Sequence, residues 1–170
     1  MTRTLVMGVG NTLLSDEGAG VHAMRYLRDH FDDLPNTDFI DAGTLSFTLI
    51  DDIARADHLL IFDAAQLGGK AASVKLFDGV EFDRFLSSGR LSVHEVGFAD
   101  LMDIARLQDC MPCKRALIGI QPVVLGWGES PGKKVLEVIP KAAAIGADVI
   151  RRWSLMRAVA GRERDKGITL

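Results

Sequence analysis

Short apolar runs alternating with helix-patterned stretches constrain this chain more than any other feature. The apolar runs are Thr4–Val9, Asp38–Asp41, His58–Asp63 and Ala116–Gln121. Helical patterns lie between and after them, at about Asp16–His30, Ser46–Arg55, Val93–Leu107 and Pro131–Trp153. A strand that is followed by a helix and then a further strand favours a parallel sheet covered on both faces. The expected fold is therefore a three-layer α/β domain with a largely parallel sheet. Ser73–Phe77 also reads as a strand, but it follows His58–Asp63 with no room for a helix. A parallel connection needs about a dozen residues or more, so this strand is expected to be antiparallel and at an edge. Ser87–Arg90 reads as a polar loop, Ser130–Pro131 as a capped helix start, and the chain from Arg157 onward as a frayed polar end.

Size and charge narrow the classes. At 170 residues, one domain is expected, over 1–155, with a polar tail at 156–170. The net charge of −3, from 20 basic and 23 acidic residues, lacks the basic excess of a nucleic-acid surface and gives no reason to invoke an anionic membrane. No run reaches the roughly 20 apolar residues that span a bilayer. The opening residues pass straight into a strand and form no secretory leader. A cytoplasmic protein is expected. The two cysteines, Cys110 and Cys113 in Cys-Met-Pro-Cys, close a helical pattern ahead of a strand. A thioredoxin-like pair opens a helix instead, so these read as two loop thiols.

Gly8-Val9-Gly10-Asn11 ends the first strand. A dinucleotide fingerprint needs a third glycine three residues on, and Leu13 stands there. No Gly-Lys-Ser or Gly-Lys-Thr follows. The glycines are read as a tight turn, or as a place where backbone must approach closely, without a pyrophosphate.

Three side chains are drawn to one sheet edge. Glu17, Val21 and Met24 share one helical face, so Glu17 is expected to face the sheet while Asp16 serves the helix end from the solvent side. Asp63 ends an apolar, central-looking strand, and ligands in open α/β sheets bind outside the carboxyl ends of strands. Ser92-Val93-His94-Glu95 matches a capping box, which puts His94 in the first turn of a helix. Two oxygens and a nitrogen suit a borderline divalent ion such as zinc or nickel. Plain alternatives stand beside each: a dipole-complementing acid, a turn-capping Asp, a structural His. Asp41, ending the second strand, is expected at the same edge. His22, His30 and His58 receive no role.

Together, Gly8-Val9-Gly10-Asn11-Thr12-Leu13-Leu14-Ser15-Asp16-Glu17-Gly18, Asp41-Ala42-Gly43-Thr44, Phe62-Asp63-Ala64, His94-Glu95-Val96-Gly97 and Ile118-Gly119-Ile120-Gln121-Pro122 resemble the hydrogenase maturation proteases, the peptidases that process nickel–iron hydrogenase large subunits. The likeness runs from the first strand to about Pro140, and looks nearest to the branch serving uptake-type hydrogenases. It implies a three-layer αβα sandwich of the phosphorylase/hydrolase-like kind, with a five-stranded, mostly parallel sheet and one antiparallel edge strand. It implies metal binding by Glu17, Asp63 and His94, with Gly43 and Thr44 near substrate and Asp41 and Asp63 as catalytic candidates. The substrate would be the precursor of a large subunit. Its own nickel would be the metal recognised, with zinc or another divalent ion able to stand in. The family expectation is a monomer. Gly-x-Ser-x-Gly is absent, and no serine or cysteine nucleophile with a partnered base emerges. Three rivals remain at this point: a nucleotide-binding module, a non-catalytic nickel chaperone using the same ligands, and a metal-dependent hydrolase of small molecules.

Overall fold

A computed structural model of the chain describes residues 2–44, 47–88 and 93–165, with side chains throughout except at 93–96 and 157–165. Its centre is a five-stranded sheet of β1 (Thr4–Val9), β2 (Thr37–Gly43), β3 (His58–Ala64), β4 (Val74–Asp78) and β5 (Lys114–Ile120), in the order β2-β1-β3-β5-β4. All neighbouring pairs are parallel except β4 with β5. β4 lies at the edge and runs antiparallel, the direction its short connection from β3 calls for.

Alternation along the strands divides the core in two. Val6, Leu60, Phe62 and Ile118 point to one face. There they meet α1 (Ala19–His30) and α6 (Ile139–Asp165), through Met24, Leu27, Ala143 and Ile150. Leu5, Met7, Leu59 and Ile61 point to the other face. They pack on α2 (Ile50–Ala54), α3 (Val80–Leu86) and α4 (Val93–Leu107), through Ile53, Phe82, Leu101 and Met102. β1 and β3 are buried along their whole length, as strands covered on both sides must be. The three-layer sandwich expected from the sequence is the one observed.

Local departures have physical reasons. The helix expected from Asp16 begins as a 3-10 turn at Ser15–Gly18, and becomes α-helical only at Ala19. Gly20 explains the sharp entry. A Cβ there would lie 2.3 Å from the carbonyl oxygens of Val9 and Phe62, so α1 starts almost in contact with the sheet. This is the close helix–strand packing that a dinucleotide fold assigns to its third glycine, displaced here from position 13 to position 20. α3 was missed in the sequence, hidden by its brevity and by the exposed Val80 at its start. Phe82 and Phe85, spaced by one helical turn and both buried, were the available signal. The expected helix from Pro131 to Trp153 is two elements. α5 (Lys133–Leu136) follows Gly132 as N-cap, and α6 begins at Ile139. Pro140 has no N–H to give to a continuous helix, but is tolerated in a first turn. α6 then runs on to Asp165, past the expected fraying point at Arg157. The Ser46 end of the second expected helix and the Ser92 cap of the third lie outside the described residues.

Candidate functional site

The carboxyl ends of β1, β2 and β3 form one rim, and the sheet register says which side each acid takes. Gly8 is paired with Asp41 on one neighbour and Phe62 on the other. Residues in register across parallel strands share a face, and successive residues alternate. Asp41 thus takes the Phe62 side, that of α1, and Asp63 the opposite side, that of α4. The contacts agree. Arg25 of α1 donates to Asp41 Oδ2 at 2.8 Å.

Asp63 is 5% exposed at the end of the central strand β3. A carboxylate this buried is costly unless it is paired or hydrogen-bonded. Glu17 is half-buried in the 3-10 turn, and that turn packs against β3. α4 ends near the amino edge, where β5 starts at Lys114, so its first turn lies at the carboxyl rim. His94 is in that first turn, on the sheet face that Asp63 takes. Its side chain lies outside the described residues. Among the described residues no group of three His, Cys, Asp or Glu side chains is placed to hold a metal ion. The structure therefore brings the segments of Glu17, Asp63 and His94 to one rim, with Glu17 and Asp63 as the described side chains.

Gly10 supplies the close approach expected of the first glycine turn. Its φ is +129°, and a Cβ there would fall 1.8 Å from the Glu17 carbonyl oxygen. What approaches is the protein's own backbone at Glu17. The Gly10 N–H donates to the Gly43 carbonyl at 2.8 Å, and the Gly43 N–H donates to Asp41 Oδ1 at 3.0 Å. Gly43, at φ +51°, and the exposed Thr44 thus finish β2 beside the glycine turn.

Asp16 overturns one expectation. It is fully buried, not solvent-facing. Its Oδ2 accepts the N–H groups of Val123 and Val124 at 2.7 and 2.6 Å, and its Oδ1 accepts that of Gly132 at 2.6 Å. The helical face drawn through Glu17 assumed α-geometry from Asp16 onward. The 3-10 turn rotates Asp16 inward instead. Periodicity carried no signal for this, because the partners are backbone amides more than a hundred residues away. Arg25 was not singled out in the sequence, and His22 was given no role there. His22 sits near Arg25 and Asp41, and its Nε2 is buried with no hydrogen-bond partner. Burial lowers its pKa, as does the Arg25 charge, against the opposing pull of Asp41 and of the Glu129 backbone. His58, by contrast, is a core residue packed beside Trp153.

With this geometry in place, comparison with known proteins decides the family. The sequence model described as "Hydrogenase maturation protease" matches residues 21–148. The chain belongs to the hydrogenase maturation protease family. Relatives agree along nearly the whole length. The hydrogenase expression/formation protein HupD of Thiocapsa roseopersicina is 33% identical over 165 residues, 96% of this chain and 73% of its own. The hydrogenase 2 maturation protease of Escherichia coli K12 is 33% identical over 120 residues, 71% of this chain and 73% of its own. The solved hydrogenase-maturating endopeptidase HybD from E. coli superposes with a TM-score of 0.81 at 29% identity, covering 89% of this chain and 93% of that one. Peptidase chemistry is thus the family's, and the buried acids among the described residues, Asp16 and Asp63, both lie at the carboxyl rim. No helix among the described residues is long and apolar enough to cross a membrane.

Proposed function

We propose that this maturation protease is an endopeptidase that removes the C-terminal extension from the nickel-loaded precursor of a nickel–iron hydrogenase large subunit. The observation that carries this reading is Asp63. It is a buried carboxylate ending the central strand, on the face of α4 and beside the turn that holds Glu17. Two carboxylates and the imidazole of His94 make a donor set suited to nickel. The nickel is the substrate's own. Three protein donors leave coordination positions for the precursor's ligands.

In this reading Glu17, Asp63 and His94 dock on the metal and so fix the scissile bond against the rim. Holding reactants in register supplies several kcal/mol of barrier reduction. Gly43 and Thr44 end an edge strand next to the rim, where an extended segment of precursor can lie. Asp41 is assigned the general-base role from the α1 face of the same rim, across the sheet from Asp63. Its carboxylate is half-exposed at the rim, oriented by Arg25 and by the Gly43 N–H. The protein acts in the cytoplasm, as a monomer.

The test is cleavage of purified precursor, with and without nickel, followed by mass spectrometry of the released extension. Wild-type protein is expected to cut only the nickel-loaded form. His94→Ala and Asp63→Asn are expected to lower the rate by about a hundredfold or more, with unchanged circular dichroism. A His94→Ala variant that cuts at the wild-type rate removes His94 from the site. Binding without cutting by the wild type would favour a nickel chaperone on the same fold.

A further inference from the structure

The described residues carry eleven exposed large apolar side chains, and five of them share one place. Leu13 belongs to the glycine turn, and Val123, Val124, Leu125 and Trp127 to the segment after β5. The two segments are laced together. Gly128 N–H donates to the Leu13 carbonyl at 3.0 Å, and Ser15 N–H to the Gly128 carbonyl at 2.8 Å. Asp16 holds the Val123 and Val124 amides from below. Trp127 is 87% exposed on a segment whose backbone is fastened on both sides. A large aromatic side chain in water on a fixed backbone is the usual anchor of a protein interface. Of the other exposed apolar residues, Leu107 ends α4 and Val80 opens α3.

We propose that residues 122–128 form a docking rim for the folded body of the large-subunit precursor, with Trp127 as the anchor. The proposal rests on the processing reaction proposed above. Continuity names the occupant. Gly128, the residue after Trp127, pairs through its backbone with Leu13 and Ser15 of the turn that leads into Glu17, so a partner seated on Trp127 reaches the same carboxyl rim. A second copy of this chain in that position would cover the rim that a protein substrate must reach. A bilayer is a poor match, because residues 122–128 are a short turn, with no amphipathic helix to lie in the interface. The segment from Pro122 to Gly128 has no charged residue, so it suits an apolar patch on the partner.

Binding and cutting are measured separately. Nickel-loaded precursor is titrated onto immobilised wild type, Trp127→Ala and Leu107→Ala, and cleavage is followed with the same three proteins. Leu107 is equally exposed but lies at the far end of α4. Trp127→Ala is expected to weaken binding and raise KM by about tenfold, with kcat within about twofold. Leu107→Ala is expected to match the wild type, and both variants to keep the wild-type melting temperature. Equal affinity of Trp127→Ala and wild type overturns the inference, whatever happens to cutting. A drop in kcat at unchanged KM also overturns it, as does a wild-type dimer that Trp127→Ala dissolves. A wild type that binds through Trp127 but never cuts sinks the peptidase reading and leaves the docking rim standing.

Discussion

The two ends of the sheet are fastened by different means. At the amino end, three ion pairs join side chain to side chain, beside the Asp57 carboxylate that accepts the Arg3 N–H. Arg3 pairs with Asp38, Arg115 with Asp83, and Arg152 with Asp78. At the carboxyl end, beside the Arg25–Asp41 pair and the Gln121–Gln66 bond, side chains grip backbone. Asp16 takes three amides of the segment after β5, Gln121 takes the Leu67 amide, Asn11 that of Leu13, and Asp41 that of Gly43. The difference has a consequence for function. An ion pair occupies both side chains with each other. A side chain that holds a loop's backbone leaves that loop's own side chains free to face outward. The carboxyl rim is thus held through its backbone and still exposes Trp127, Leu125 and Asp41.

The strongest way to break this comparison is to remove the clamp. Asp16→Ala strands three amides of the rim. Leaving buried donors unmade costs about 1–3 kcal/mol each, and water entering the opened space recovers part of that. A loss of about 2–4 kcal/mol in urea unfolding is expected, together with slower processing. A variant within about 0.5 kcal/mol of wild type would mean the rim is held by something other than Asp16.

What the sequence made legible follows the same division. Strands, layers and the antiparallel edge could be read because burial on both faces writes itself into apolar runs. Asp63 could be read because a strand that apolar makes its terminal acid conspicuous. Glu17 was placed at the right turn by the wrong argument, since α-periodicity does not apply inside a 3-10 turn. Asp16 was misread and Arg25 was not seen. Their partners come from other elements: the amides after β5 for Asp16, and Asp41 on β2 for Arg25. Patterns of spacing report which face a residue takes within its own element. They do not report which distant group meets it there. The apolar character of residues 123–127 was visible as composition, but its exposure was not, because a buried strand reads the same way.

At the amino end the matching experiment is milder. Arg115 grips Asp83 with two hydrogen bonds, at 2.8 Å from Nε and 2.5 Å from Nη2, on side chains 22% and 34% exposed. The bond to Asp83 holds the guanidinium in its charged form, raising the Arg115 pKa. Two-pronged pairs exceed ordinary surface pairs in strength. Asp83→Ala is expected to cost about 1–2 kcal/mol of stability while precursor processing continues at the wild-type rate. Slower processing by a folded Asp83→Ala protein would erase the proposed separation of a structural end from a working end.

The smallest effect sharpens the picture on the α1 side of the rim. Burial of the His22 ring, followed by the Arg25 charge, lowers its pKa below the ordinary 6.5. The unfolded chain therefore binds more protons than the folded one between those two values. The stability that depends on a neutral His22 is fully present above about pH 6.5, and is lost as pH falls through 6.5 to the folded value. His22→Gln removes that dependence. Urea midpoints measured from about pH 7.5 down to about pH 5 should fall more for wild type than for His22→Gln. Asp41→Asn removes a charge that favours the protonated ring, so it should steepen the wild-type fall. Parallel curves for wild type and His22→Gln would show that the imidazole is no part of how the α1 side of the rim is held, leaving the Arg25–Asp41 pair to hold it alone.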